Sequence, residues 1–257
     1  MRIVARQARV KSKSGIYHII LRGINRQTIF EEDEDKFKFL ECLRYYRDIC
    51  DYAVCGYCLM DNHVHLLIKE KEEQIATIMK KIGVRYVSWY NRKYDRCGHL
   101  FQDRFKSEVI EDDAYLLVVL RYLHRNPLKA GLVQSLSEFH FSSYCEYVNI
   151  ARIIDSSFIL EMFSTNSELA RKSFVRFMNE SSENDDCLEY QEQVTKKDEE
   201  VRVIIQKCAN VGIPQELQAM KKPERDAILR EIKKVQGITT RQLARLTGIS
   251  QSVIARA

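Results

Sequence analysis

The sequence predicts an α+β protein followed by a small all-α C-terminal domain. Three observations lead there. Short apolar, β-branched runs bounded by glycine or a tight turn read as antiparallel strands, above all Tyr52–Met60 and His63–Lys69 around Asp61-Asn62. Longer segments between the strands repeat apolar residues at helical spacing. The last stretch, Thr239–Arg256, has the pattern of two short helices joined at a glycine. At 257 residues, with 45% hydrophobic and 30% charged content, the chain is long and apolar enough for one or two domains with real cores. No apolar run approaches the roughly 18 residues of a membrane span, so no membrane partner is expected. The basic segment Met1–Lys13 lacks the apolar core of a secretion signal, and the eight cysteines follow no framework. Both features point to reduced thiols in a cytoplasmic protein.

Taken in order, Gly15-Ile-Tyr-His-Ile-Ile-Leu-Arg-Gly23 is the first strand. Asp33–Asp51 is a helix with Phe37, Phe39, Leu40, Leu43 and Tyr46 roughly at helical spacing, and its acidic start, Glu31–Asp35, suits a helix N-terminus. The hairpin follows. Glu73–Tyr94 is a second helix with the stripe Ile75, Ile78, Met79, Ile82, Tyr86, Trp89. Cys97–Ser107 begins as a loop and runs into a strand through Val109-Ile110. Asp112-Asp113 opens a third helix, Ala114 to about Arg125, which Pro127 is expected to stop. Phe139–Tyr147 has no clear assignment. Phe158–Phe177 has helical character, and disorder is expected at about 180–196.

Charge divides the chain unevenly. Residues 1–155 carry 25 Lys+Arg against 21 Asp+Glu, residues 156–201 carry 5 against 11, and residues 202–257 carry 11 against 4. We therefore expect a body at 1–150, an acidic, partly helical connector at 151–201 and a basic helical domain at 202–257. A basic piece of this kind suits an anionic partner such as nucleic acid. In its helix-turn-helix pattern, Ala244 is the small residue at the crossing, Gly248 takes the turn, Ile249 and Ile254 pack inward, and Ser250 caps the second helix. Arg241, Gln251, Ser252 and Arg256 are then the candidates for contact with duplex DNA.

The chemistry centres on Asp61-Asn-His-Val-His-Leu-Leu-Ile68. In a strand, residues two apart share a face, so His63 and His65 aim at one point. Two neutral imidazoles on a rigid strand begin a divalent metal site, although a lone His-x-His is more often a hydrogen-bonded structural pair. Cys55-Gly-Tyr-Cys58 lies within a strand with no second pair, and reads as inert packing rather than as a redox or zinc motif.

Three segments together resemble one family: Met60-Asp-Asn-His-Val-His-Leu-Leu67, Leu100-Phe-Gln-Asp-Arg-Phe105 and Arg121-Tyr-Leu-His-Arg-Asn-Pro-Leu-Lys-Ala-Gly-Leu-Val133. Their order and content resemble the REP-associated tyrosine transposases, a branch of the single-tyrosine HUH (His, bulky apolar, His) transposases. The resemblance runs from about Tyr17 to Val133. It implies a ferredoxin-like antiparallel sheet flanked by helices. It also implies metal-dependent cleavage and joining of single-stranded DNA, usually near a hairpin. The histidine pair maps to His63 and His65, the nucleophile to Tyr122 and the polar metal ligand to Asn126. A helix puts Tyr122 and Asn126 on one face. Two imidazoles and an amide oxygen leave a Mg²⁺ or Mn²⁺ open positions for phosphate and water.

Tyr115, seven residues earlier, is the rival nucleophile. His18 and His124 are assigned to packing or DNA contacts, and Arg104 and Arg121 are candidate phosphate contacts. The alternatives are a non-catalytic DNA-binding regulator of transposase descent and an HUH nickase of replication or conjugation. The expected partners are single-stranded or hairpin DNA, with duplex DNA for the C-terminal domain, and a monomer or homodimer fits equally well.

Overall fold

The computed structural model describes residues 9–180, 196–235 and 237–257. These fall into two compact units, one within Gln7–Glu189 and one within Tyr190–Ala257. The segment expected to be disordered lies almost wholly outside the described residues.

In the first unit, strands β1 (Ile16–Arg22), β2 (Tyr52–Met60), β3 (His63–Glu70) and β4 (Lys106–Ile110) form one sheet in the order β2-β3-β1-β4. Every neighbouring pair is antiparallel. Helices α1 (Asp33–Cys50) and α2 (Ile75–Lys93) connect the strands. This is the ferredoxin-like arrangement, with β1 and β3 in the centre. The turn at Asp61-Asn62 sets the hairpin register, pairing Met60 with His63 and Cys58 with His65. One extra residue is accommodated between Val54 and Gly56.

The two faces bury different partners. Tyr52, Leu66 and Val64 share one face, and α1 lies on it, the Tyr52 hydroxyl donating to the Leu43 carbonyl. Phe30, Phe39 and Tyr86 fill this layer edge to face. The opposite face carries His63, His65 and Gly56, and α3 (Asp113–Lys129) crosses it. A methyl group on Gly56 would come within 2.6 Å of Leu120 Cδ1, so α3 packs directly over this glycine.

Helix α3 departs from expectation at its end. It continues through Pro127 to Lys129. Proline removes its own amide donor and crowds the carbonyl four residues back, but the donors beyond it still find acceptors. Gly131 N–H donates to Leu128 O and Leu132 N–H to Pro127 O, each at 3.0 Å. Gly131 adopts φ +69°, the left-handed residue that this pair of closing bonds needs. The terminator is therefore Gly131. At the other end, Asp112 Oδ1 accepts from Tyr115 N–H at 2.7 Å.

Residues 139–148 resolve into a short addition to β2. Leu59 N–H donates to Phe141 O and Ser143 N–H to Tyr57 O, after which α4 (Tyr144–Val148) follows. Helices α5 (Ser157–Glu161) and α6 (Ser167–Asn179) then pack onto the same unit, with Ile159, Phe174 and Met178 fully buried. Much of the segment expected to be a connector is thus part of the first core, because its apolar residues fall on one side of α6.

The second unit contains α7 (Asp198–Ala209), α8 (Lys222–Lys234), α9 (Thr240–Thr247) and α10 (Gln251–Arg256). Its core is Val201, Ile205, Leu217, Leu229, Ile232, Leu243, Leu246, Ile249 and Ile254, with Ala244 packed against it. Gly248 closes α9 at φ +72°, and Thr239 Oγ1 caps that helix by accepting from Gln242 N–H. Ser250 precedes α10 but makes no side-chain cap; its hydroxyl pairs with Ser252 Oγ at 3.2 Å instead. Among the described residues, no helix is long and apolar enough to cross a membrane.

Candidate active site

Residues opposite each other in an antiparallel ladder share a face. His63 faces Arg22, His65 faces Ile20, and His18 lies two residues before Ile20. On the other side of β1, His18 faces Glu108 of β4. One face of the two central strands thus gathers His63, His65, His18 and Arg22, with Glu108 at its edge. Across this face lies α3, bringing Tyr122 and Asn126 from the same side of the helix.

The contacts are close. Asn126 Nδ2 lies 3.3 Å from His65 Nε2, although the two residues are 61 apart in sequence. An amide nitrogen only donates, so His65 Nε2 is the acceptor there. His63 Nδ1–H donates to Asn62 Oδ1 at 2.6 Å, which leaves His63 Nε2 bare. The side chain of Asn126 also hydrogen-bonds His63. The two imidazoles stand nearly perpendicular, with centroids 5.0 Å apart. The Tyr122 ring sits edge-on to His65 at 5.6 Å and to His18 at 6.3 Å. Lys129 Nζ lies 4.8 Å from the centre of the Tyr122 ring.

Burial sets the protonation state of the pair. It pushes His63 down to about 4, helped by the Arg22 guanidinium and opposed by the Asn126 hydrogen bond and Asp61. His65 is fully enclosed and held well below the ordinary histidine range by the same loss of water, and then by the neighbouring imidazoles. Both rings are neutral at neutral pH, as ligation of a cation requires.

The residues fit a small divalent ion in kind. Among the described residues no cluster of three or more His, Cys, Asp or Glu could hold a metal, so a third side-chain ligand beside the two imidazoles would be of another kind. Asn126 supplies one, in contact with both imidazoles. Its Oδ1 is the atom that would face the ion, with the amide nitrogen now 3.3 Å from His65 Nε2.

The remaining candidates divide. Tyr115 is half-buried at the start of α3, about 10 Å along the helix axis from Tyr122 by the rise of 1.5 Å per residue. Arg121 is 7% exposed, its guanidinium 4.3 Å above the Phe177 ring. The helical character of the α6 segment was expected, but not that it packs over Arg121. Arg104 is exposed in the loop before β4. His124 is enclosed, with Nε2 bonded to Ser143 Oγ at 2.8 Å, which agrees with packing. Cys55 and Cys58 are buried free thiols, and burial pushes Cys55 up to about 12. In the second unit, Arg241, Gln251, Ser252 and Arg256 are all exposed. Gln251 Nε2 donates to Thr240 Oγ1, which ties the start of α10 to α9. Sequence reasoning missed Arg22, Glu108 and Lys129 and left His18 aside. Only the strand register and the full length of α3 reveal them.

Comparison with known proteins agrees with the motifs. Residues 11–126 match the family model described as IS200-like transposase. A curated protein of Haemophilus influenzae, named as a REP-associated tyrosine transposase, is 25% identical over 113 residues. That alignment covers 38% of this chain and 64% of the relative, so the chain spans just under two thirds of that relative's length. A solved structure of a REP-associated tyrosine transposase bound to a REP hairpin aligns with a TM-score of 0.48 and 16% identity, covering 60% of this chain and 95% of that one.

Proposed function

We propose, from the match of residues 11–126 to the IS200-like transposases, that this chain cuts and rejoins single-stranded DNA through a tyrosine nucleophile. The observation that carries the reading is the convergence of Tyr122, Asn126, His63 and His65 on one patch, from α3 and β3. Tyr122 is the nucleophile. Its phenolic oxygen attacks the scissile phosphorus as the bond to the 3′ oxygen breaks; the phenol gives its proton to solvent and the departing 3′ oxygen takes one up. The products are a 5′-phosphotyrosine and a free 3′-hydroxyl. That hydroxyl, or one from another DNA end, attacks the phosphotyrosine in the reverse sense and restores Tyr122. The number of phosphodiester bonds is conserved, so no nucleotide cofactor is consumed.

His63, His65 and Asn126 would hold a Mg²⁺ or Mn²⁺ ion, which supplies charge neutralisation at the scissile phosphate. A free phenol ionises near ~10, so attack at neutral pH needs local help. Lys129, 4.8 Å from the ring centre, places a positive charge beside the nucleophile. Arg22, beside His63, adds positive charge where a phosphate would bind. On the motif resemblance, the substrate is a single strand adjoining a hairpin. The exposed side chains Arg241, Gln251, Ser252 and Arg256 make the second unit a duplex-binding element that raises affinity without entering the chemistry.

The test is covalent capture. Labelled single-stranded hairpin DNA is incubated with the protein and Mn²⁺ or Mg²⁺, then run on a denaturing gel. The reading expects a metal-dependent shifted band. DNA binding with no band across a broad hairpin library would favour a non-catalytic regulator.

A further inference from the structure

A third imidazole, His18, is wholly buried beside His65 and takes no part in the chemistry above. We propose that His18, oriented by Glu108, is a positioning residue that locks His65 in the tautomer presenting its Nε2 to the metal. This rests on the proposed metal site and extends it by two residues.

The argument follows the protons. His18 Nε2 and His65 Nδ1 are 3.1 Å apart, so one of the two carries the hydrogen and the other accepts it. The other nitrogen of His18, Nδ1, is buried, has no hydrogen-bond partner among the described residues, and faces Glu108 Oε2 at 3.7 Å. A lone pair aimed at a carboxylate is repelled, whereas an N–H aimed at it is attracted. Glu108 therefore selects Nδ1–H on His18. That leaves His18 Nε2 as acceptor and makes His65 Nδ1 the donor. A neutral imidazole carries one hydrogen, so His65 Nε2 is bare.

In the metal-free arrangement the opposite side of His65 agrees. Asn126 Nδ2, a donor only, lies 3.3 Å from His65 Nε2, which must accept. The two rings lie within 19° of parallel at 5.3 Å, so the contact fixes ring orientation as well as tautomer. The chain of contacts is carboxylate, imidazole, imidazole, with one more link than the carboxylate–histidine–metal arrangement of many metal sites. It also explains how the sheet holds a buried polar side chain on β1 where an apolar residue would pack more simply.

Two measurements test it on the full-length protein without DNA. In the first, nitrogen-15 correlation spectra of the metal-free wild type report the tautomers directly. The proposal expects hydrogen on Nδ1 of both His65 and His18. A wild-type His65 carrying its hydrogen on Nε2 overturns it, with no variant required.

The second is Mn²⁺ titration by calorimetry, with the fold checked by circular dichroism. His18→Leu removes the acceptor and should weaken Mn²⁺ binding about 10–100-fold, the usual cost of losing such a partner. His18→Gln keeps an acceptor and should stay within a few-fold of wild type, while Glu108→Gln should fall between. If His18→Leu is unfolded, His18→Gln and Glu108→Gln still give the ordering. Wild-type affinity in His18→Leu, or equal losses in Gln and Leu, overturns the positioning role while the metal site stands. If His65→Ala binds Mn²⁺ as wild type does, or wild type binds none, the metal site itself is wrong and the inference falls with it.

Discussion

Replacing Tyr122 by phenylalanine separates chemistry from folding more cleanly than any other change in the molecule. The Tyr122 ring is 4% exposed and packs against His65, His18 and Lys129 at 5.6, 6.3 and 4.8 Å. Phenylalanine keeps the ring and all three contacts. It loses only the hydroxyl and its hydrogen bonding, worth about 0.5–1.5 kcal/mol. At about 2–4 °C per kcal/mol for a unit of this size, Tm should fall by roughly 1–6 °C. Tyr122→Ala would instead cost about 3–5 kcal/mol and confuse inactivity with unfolding. Without the phenolic oxygen no phosphotyrosine can form, so covalent capture should disappear while Mn²⁺ and DNA affinities stay near wild type. Tyr115→Phe should capture normally. Trypsin makes the assignment unambiguous, because cleavage after Lys106, Arg121 and Arg125 puts Tyr115 in the peptide 107–121 and Tyr122 in the peptide 122–125. An adduct mass on 107–121, or a covalent band surviving in Tyr122→Phe, refutes the nucleophile assignment.

His63→Ala combined with His65→Ala should abolish cleavage in both Mg²⁺ and Mn²⁺ with the fold retained by circular dichroism; residual cleavage would mean that the ion sits elsewhere. Two imidazole donors suit Mn²⁺ better than Mg²⁺, so calorimetry on wild type should give the tighter binding for Mn²⁺. Because folded His63 stays neutral down to about 4 while an unfolded histidine takes up its proton near 6.5, the unfolded chain binds more protons in that interval. Stability should therefore fall as pH drops from about 6.5 towards 4, while Mn²⁺ affinity stays level to about pH 5; an affinity loss centred near 6.5 would contradict the burial argument. Deleting residues 196–257 should weaken DNA binding and reduce its salt dependence while sparing capture of a short strand at high protein concentration, and an unchanged salt slope would exclude phosphate contacts by that unit. Gly131→Ala meets no neighbouring atom but forces φ +69° on an alanine, so a destabilisation of about 1–2 kcal/mol is expected by urea titration, and none at all would mean that α3 does not end there.

The strands were legible because their signals are local. The hairpin turn at Asp61-Asn62 and the period-two pattern after it fix both the pairing and the face, and β2 and β3 start where expected. The end of α3 was not, because proline was given more weight than the donors beyond it. The Gly131 signal stood in the sequence, four residues after Pro127, and was passed over. The segment carrying α5 and α6 was misread for another reason. Its net acidity suggested a connector, yet most of those acids lie outside α6, which itself carries Glu168 against Arg171, Lys172 and Arg176, and Phe174 and Met178 decide where the helix goes.

The site divides along the same physical line. His63 and His65 share a face by strand geometry alone, and Tyr122 and Asn126 by helix geometry alone, so each pair was readable within a few residues. That the pairs meet follows from α3 lying across the histidine face, with Leu120 packed over Gly56. What no local pattern could supply is the register between β1 and its two neighbours. One ladder sets His18 two residues from the partner of His65, and the other sets Glu108 opposite His18. A shift of one residue in either ladder would turn these side chains to the α1 face and leave His65 without its 3.1 Å contact. The histidine pair is thus a property of one strand, whereas the tautomer that makes His65 a ligand is a property of three.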